Sequence, residues 1–258
     1  MRLGISYNIF EGEELFPTLV KNIRNHVDYI TVCYQNYSLK GNPARPELLS
    51  NLKKIEGIDK LFLYNHDYSR AYKENELIMR NLGLEECRKA NCTHHITADV
   101  DEFYKPNELE YSKKLIEEND YNCSVVELFN YYKDPTFQIV PTQHHKVCFI
   151  QKSDINYSLN RDYPFRTDFT RRPEKFDKNY VFGIEEIAVH HMSFVRHNIR
   201  PKLENTSNKI SSIERLIDEF NKYKVGDRVC LPPDYRNHKT ILVEDFFKLR
   251  EALWEHHQ

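Results

Sequence analysis

The chain has 258 residues, with 37 lysines and arginines against 39 aspartates and glutamates. That near-cancellation leaves no overall field to recruit nucleic acid or an anionic membrane surface. The length can bury a sizeable core, as one large α/β domain or two small ones.

The sequence enters a strand-like apolar run at Leu3, and no apolar stretch is long enough for a signal peptide or a membrane span. Cysteines at 33, 87, 92, 123, 148 and 230 form no Cys-x-x-Cys pair and no zinc spacing, and several sit in apolar runs, where a thiol acts as a small hydrophobe. They read as reduced thiols of a cytoplasmic protein.

Residues 3–10 predict a strand, and 13–27 a helix with Leu15, Phe16, Leu19, Val20 and Ile23 at helical spacing. Strands are expected at 29–35, 60–65 and 94–100, with helices at 46–56 and 73–89 between them. This alternation predicts an α/β fold, a parallel sheet with helices on both faces. Further strands are expected at 123–132, 146–152 and 187–194. Residues 153–182 lack periodicity and carry Arg161, Arg166, Arg171 and Arg172. A loop that long is usually functional, and 160–180 is expected to form a lid or acceptor loop ordered by ligand. C-terminal helices are expected at 207–223 and 241–255. No repeat or linker divides the chain, so 1–258 reads as a single domain.

The fourth expected strand ends in Asp99-Val100-Asp101-Glu102-Phe103. Side chains at i and i+2 of a strand share a face, so Asp99 and Asp101 are expected side by side. They fall beyond a strand's carboxyl end, where open α/β sheets bind ligands. Paired hard oxygens suit Mg²⁺ or Mn²⁺, which keep positions open for substrate phosphates. Such an ion would neutralise a nucleoside diphosphate leaving group, pointing to a nucleotide-sugar-dependent transferase. In isolation, the same pair would serve as a helix cap or a solvated turn.

Three segments in order resemble GT-A-fold glycosyltransferases of the family 2 type: the first strand with Asn8, followed by Glu11, Glu13 and Glu14; Arg80-Asn81-Leu82-Gly83 on the helix before the aspartates; and Asp99-Val100-Asp101-Glu102-Phe103 itself. A later segment, His190-His191-Met192-Ser193-Phe194-Val195-Arg196 with Lys202, is similar to the place where several such enzymes carry a further metal-ligating histidine and basic residues for the diphosphate. The resemblance implies a GT-A, Rossmann-like mixed and mainly parallel sheet with C-terminal helices. It implies a nucleotide-binding half at 1–105 and an acceptor half at 106–258. Asn8, Glu11, Arg80, Asn81 and Asp99 would lie near the donor, Asp99, Asp101 and His191 on Mn²⁺ or Mg²⁺, and Arg196 and Lys202 on the diphosphate. The expected reaction is transfer from a nucleotide sugar, taken as a UDP-sugar, to a glycan or other hydroxyl acceptor, with inversion.

Two aspartates alone leave Mn²⁺ under-coordinated, and imidazole suits Mn²⁺ better than Mg²⁺. His190 and His191 alternate in facing, so one at most serves, and His191 is chosen. His95, about 13 Å from Asp99 along a strand, is too far to share an ion. His144-His145 and His256-His257 lack carboxylate context and read as surface residues. Asn36 and Asn65, like Asn8, fall at or just after strand ends where a base and ribose would sit, though turn chemistry also places Asn there. For the base that inversion needs, Glu185 and Glu186 before the histidine strand compete with Asp168 in the arginine-rich loop. Tyr131 and Tyr132 are candidates to stack on an acceptor sugar, or are strand packing.

Two alternatives remain. A sugar nucleotidyltransferase would need a glycine-rich N-terminal loop, which residues 3–12 lack; with seven glycines in all, the chain has no phosphate loop of that kind. A catalytically silent carbohydrate-binding relative would keep the aromatics without needing Asp99, Asp101 and His191 together.

Overall fold

In the computed structural model, residues 1–142, 145–205, 210, 212–229 and 238–254 are described. The elements run β1 (Leu3–Ile9), α1 (Phe16–Ile23), β2 (Tyr29–Tyr34), α2 (Leu48–Leu52), β3 (Lys60–Leu63), α3 (Tyr72–Lys89), β4 (His94–Asp99), β5 (Glu102–Phe103) and α4 (Pro106–Asn119). They continue through β6 (Cys123–Tyr132), β7 (Asp134–Val140), β8 (Lys146–Lys152), β9 (Tyr157–Ser158), β10 (Arg172–Pro173), β11 (Asn179–Val181) and β12 (Ala188–Phe194). The chain closes with α5 (Arg200–Asn205), α6 (Ile213–Lys222), β13 (Lys239–Leu242) and α7 (Leu249–Trp254).

The fold is α/β, with a central mixed sheet flanked by helices. β3-β2-β1-β4 pair in parallel. β8, β6, β7 and β13 extend the sheet from β4 through antiparallel pairs. β11 and β12 run parallel to β6, and β5 returns antiparallel to β12. Strands covered on both faces read as continuous apolar runs, and β1 is buried along nearly its whole length. α1 packs through Phe16, Leu19, Val20 and Ile23, and α3 through Met79, Gly83, Leu84 and Cys87. Gly83 permits a close approach: a Cβ there would lie 2.5 Å from the Ser6 Cβ. A smaller cluster formed by Tyr132, Ile139, Leu203, Phe220 and Tyr223 seats α5 and α6 on the far end of the sheet.

Several local expectations change. Within the expected helix 241–255, residues 241–242 instead complete strand β13, hydrogen-bonded to β7, and α7 begins at Leu249. Asp245 stops the extended run by accepting from the Leu249 and Arg250 amides, an N-terminal cap. Of the expected helix 207–223, α6 covers Ile213–Lys222, and residues 207–209 and 211 lie outside the described residues. Gln143, His144, residues 230–237 and 255–258, including His256 and His257, also lie outside them. The 160–180 segment is pinned at its middle, where Thr170, Arg171 and Arg172 are buried. Tyr131 and Tyr132 are only 4% and 0% exposed, so neither ring offers a face to an acceptor sugar. Among the described residues no helix is long and apolar enough to cross a membrane, and the five described cysteines are free and buried.

Candidate functional site

β1, β2 and β4 run parallel, so their carboxyl ends open on one side of the sheet. A cavity of about 220 Å³ lies there, with Asn8, Glu11, Gln35, Glu76, Asp99, Asp101, Arg196 and Lys202 in its walls. A larger groove of about 940 Å³ lies against α1 and α2, lined by Pro17, Lys21, Arg45, Asn51 and Lys54. The smaller cavity is the stronger site because buried charges converge on it from four separate segments.

The two aspartates do not sit side by side on a strand. β4 ends at Asp99, and Asp101 falls in the turn before β5. Each faces its own cations. Arg80, fully buried on α3, brings Nη2 to 3.3 Å from Asp99 Oδ1 and fixes itself on Glu76, Thr97 and Thr170. Arg171 holds the other Asp99 oxygen and also grips Glu102, at 2.7 and 2.8 Å. Burial alone would raise the Asp99 carboxyl; Arg171 and Arg80 overrule it and hold the group below the usual carboxylate range.

Asp101 is 3% exposed. Its Oδ2 takes Arg196 Nη2 at 3.1 Å and Lys202 Nζ at 3.5 Å. Its Oδ1 faces His191 Nε2 at 3.5 Å and has no hydrogen-bond donor. Burial would raise this carboxyl too, but Lys202, His191 and Arg196 hold it well below the ordinary value. Arg196 is seated by the Ser193 carbonyl and lies against the turn after β1, where Gly12 has φ +91° and an added Cβ would meet Nη1 at 2.8 Å. Asn8 turns a buried, unpartnered Nδ2 among these groups.

Asp101 and His191 therefore present two facing donor atoms that suit a divalent ion, one a buried orphan oxygen. Asp99 does not fit the ligand role expected of it, because both its oxygens are held by arginines. Among the described residues no group of three or more His, Cys, Asp or Glu could hold an ion. A bound ion would thus draw its remaining ligands from water and phosphate, as Mg²⁺ commonly does.

Other candidates fall outside. Glu186 accepts from the Gly183 amide and the Tyr180 hydroxyl at the amino end of β12, where Glu185 also lies. Both precede β12, which begins at Ala188, and neither glutamate is among the residues that line the cavity. Asn81 bridges to β9 through both the amide and the carbonyl of Tyr157, a structural clamp. Asn36 and Asn65 are exposed and do not line the cavity, whereas Gln35, which sequence reasoning passed over, does. Asp168 lies next to the aspartates but is tied to Lys73 at 2.9 Å and Arg80 at 3.7 Å. Burial would raise its carboxyl, yet Arg80, Lys73 and Arg171 depress it strongly, making it a poor proton acceptor. His190 points into the core onto the Tyr131 hydroxyl at 2.7 Å, and His95 bridges Tyr157 and Ser6. The structural part of Arg171 was also missed, since no local pattern separates it from its three neighbouring arginines.

No protein-family model and no curated protein matches the chain. Among solved structures it is similar to S. aureus TarS 1-349, at 10% identity and a TM-score of 0.46, over 86% of this chain and 71% of that one. A second S. aureus TarS structure gives 11% identity and a TM-score of 0.47, over 86% of this chain and 43% of that one. The S. aureus TarS 1-349 complex with UDP-GlcNAc gives 11% identity and a TM-score of 0.46, over 86% and 72% of the two chains.

Proposed function

We propose that the chain is a glycosyltransferase of GT-A architecture, acting on a nucleoside-diphosphate sugar, a UDP-sugar by preference, and transferring the sugar to a glycan or other hydroxyl acceptor. One observation supports this most: Asp101, Arg196 and Lys202 converge in one cavity at the carboxyl ends of parallel strands, with His191 facing Asp101 at 3.5 Å. Strand carboxyl ends are where such sheets bind nucleotides, and a departing diphosphate needs concentrated positive charge.

Lys202 is 27% exposed and reaches the cavity from α5, so its ammonium can leave Asp101 for a phosphate oxygen. Arg196, 4% exposed, is less free and holds Asp101 in place. Asp101 and His191 would hold Mn²⁺ or Mg²⁺, which when bound adds charge against the diphosphate. Asp99, oriented by two arginines yet lining the cavity, is placed to accept a hydrogen bond from the donor. For inversion, Glu11 replaces Asp168 and the Glu185-Glu186 pair as the proton acceptor. It lines the cavity without a salt bridge, and burial raises its carboxyl against the pull of Arg196 and Lys202. A carboxyl displaced toward neutrality makes a better general base.

Incubation with a panel of nucleotide sugars, with and without Mn²⁺, tests the reading through release of nucleoside diphosphate. Pyrophosphate formation from a nucleoside triphosphate and a sugar phosphate would instead mark a nucleotidyltransferase. Glycan binding without turnover would mark a silent relative.

A further inference from the structure

The cavity at the strand ends holds about 220 Å³, below the roughly 300–1,000 Å³ of pockets that enclose small ligands. A nucleotide sugar therefore enters only if one of its walls moves. Most walls are fixed. Asn8 and Asp99 are register partners on β1 and β4, Glu76 is tied to the buried Arg80, and Arg196 is buried against Asp101. α5, which brings Lys202, is seated by Leu203 in the smaller apolar cluster and by Arg200 on Glu214 at 2.7 Å. The loop after β2 is different: it lines the cavity through Ser38 and Leu39, yet residues 40–43 beside them are exposed.

This loop is a small unit held by its own hydrogen bonds. Ser38 Oγ accepts from the Lys40 and Asn42 amides at 3.2 and 3.1 Å, and the Ser38 amide donates to the Asn42 carbonyl at 2.8 Å. Gly41 turns the tip at φ +84°, a conformation that favours glycine. The Ala44 amide closes the base on the Asn36 carbonyl at 2.8 Å. The tip then crosses to the end of α5. Lys40 Nζ donates to the Glu204 carbonyl at 2.9 Å, and Asn42 Nδ2 donates to Asn205 Oδ1 at 3.0 Å. Both contacts are exposed, so water competes for them and they part at little cost. The bonds inside the loop survive that parting, so the tip swings as one body. We infer that residues 36–44 form a strap across the mouth of the cavity and that Lys40 and Asn42 latch it to α5. The latched form excludes the ligand, and parting of the two contacts admits it. The strap rests on the glycosyltransferase reading only for the name of that ligand, a nucleotide sugar.

The test uses the full chain carrying Met79→Cys, which places a thiol on the cavity wall at a residue 2% exposed. The five described native cysteines are buried, and the chain without Met79→Cys gives the background. Modification by a small methanethiosulfonate is expected to run about tenfold faster once Lys40→Ala and Asn42→Ala remove both contacts, the scale of two exposed hydrogen bonds acting on an opening equilibrium. Lys40→Arg, which can still donate to the Glu204 carbonyl, should keep the parent rate. Stopped-flow association of UDP with Mn²⁺, measured with Met79 intact, should quicken in the double variant by a similar factor. Equal or slower modification in the double variant overturns the strap. So does UDP that associates at the same rate with and without the latch. Modification that follows the latch while UDP neither binds nor protects the thiol upholds the strap and counts against the glycosyltransferase reading.

Discussion

Arg171 and Glu102 lie 69 residues apart in sequence, yet one guanidinium nitrogen sits 2.7 and 2.8 Å from the two carboxylate oxygens, with both side chains buried. Glu102 Oε2 in turn accepts the Asp99 amide at 3.1 Å. Arg171 thereby joins the 153–182 segment to the turn that carries both aspartates. Removing one member of a buried pair leaves an uncompensated charge, so Arg171→Ala is expected to lower stability by about 3–5 kcal/mol. Urea unfolding measures this. A loss below about 1 kcal/mol, the scale of an exposed ion pair, would show that the contact does not hold the turn.

Gly83 tests the docking of α3, which carries Arg80, against β1. With a Cβ placed 2.5 Å from Ser6 Cβ and 2.6 Å from its hydroxyl oxygen, Gly83→Ala must push the helix outward. Overpacking of this kind costs about 1–3 kcal/mol, which outweighs the gain in helix propensity of at most about 1 kcal/mol. Thermal unfolding should show a lower Tm. An unchanged or raised Tm would contradict the close approach.

His95 supplies a pH dependence. Burial pushes its imidazole down to about 3, with Arg88 adding to the effect, from an ordinary value near 6.5. Above pH 6.5 the ring is neutral in both states and contributes nothing to the slope. Below it the unfolded chain takes up a proton that the folded chain refuses, so stability falls as pH drops from about 6.5 toward 3. One such group contributes about 1.4 kcal/mol per pH unit. Between pH 6.5 and 5, above the titration of ordinary carboxylates, His95→Gln should flatten the slope by about that amount. Parallel slopes for the two proteins would contradict the assignment.

Legibility in the sequence followed the range of the interactions. β6 and β8 match their expected bounds, because each carries a cluster of β-branched and aromatic residues, Val125, Val126, Phe129, Tyr131 and Tyr132 in β6 and Val147, Phe149 and Ile150 in β8. α3 was legible through its length. α4 was absent from the expected elements, since its buried stripe reduces to Leu109, Ser112 and Ile116. The aspartate turn was visible because it is local. The arginines that fix Asp99 come from positions 80 and 171, a pairing no spacing rule provides. Glu185 and Glu186 are near His191 in sequence, but they precede β12, and Glu186 is held by the Gly183 amide and the Tyr180 hydroxyl outside the cavity lining.

Asp101 and Lys202 separate a metal or charge role from a structural one. Asp101→Asn should abolish release of nucleoside diphosphate, by on the order of a hundredfold or more, with circular dichroism unchanged. Retained activity at limiting Mn²⁺ would contradict a metal role for Asp101. Lys202→Ala removes a partly exposed cation, so its stability should change by less than about 1 kcal/mol.

The central claim, that this cavity binds a nucleoside diphosphate, is tested most directly by calorimetric titration of UDP with Mn²⁺ into the parent protein and Lys202→Ala. The parent protein is expected to bind, and Lys202→Ala to bind about tenfold or more weakly, since a charge-assisted contact contributes about 1.5–3 kcal/mol. Absence of binding in the parent protein, or equal affinity in the two, would contradict the account.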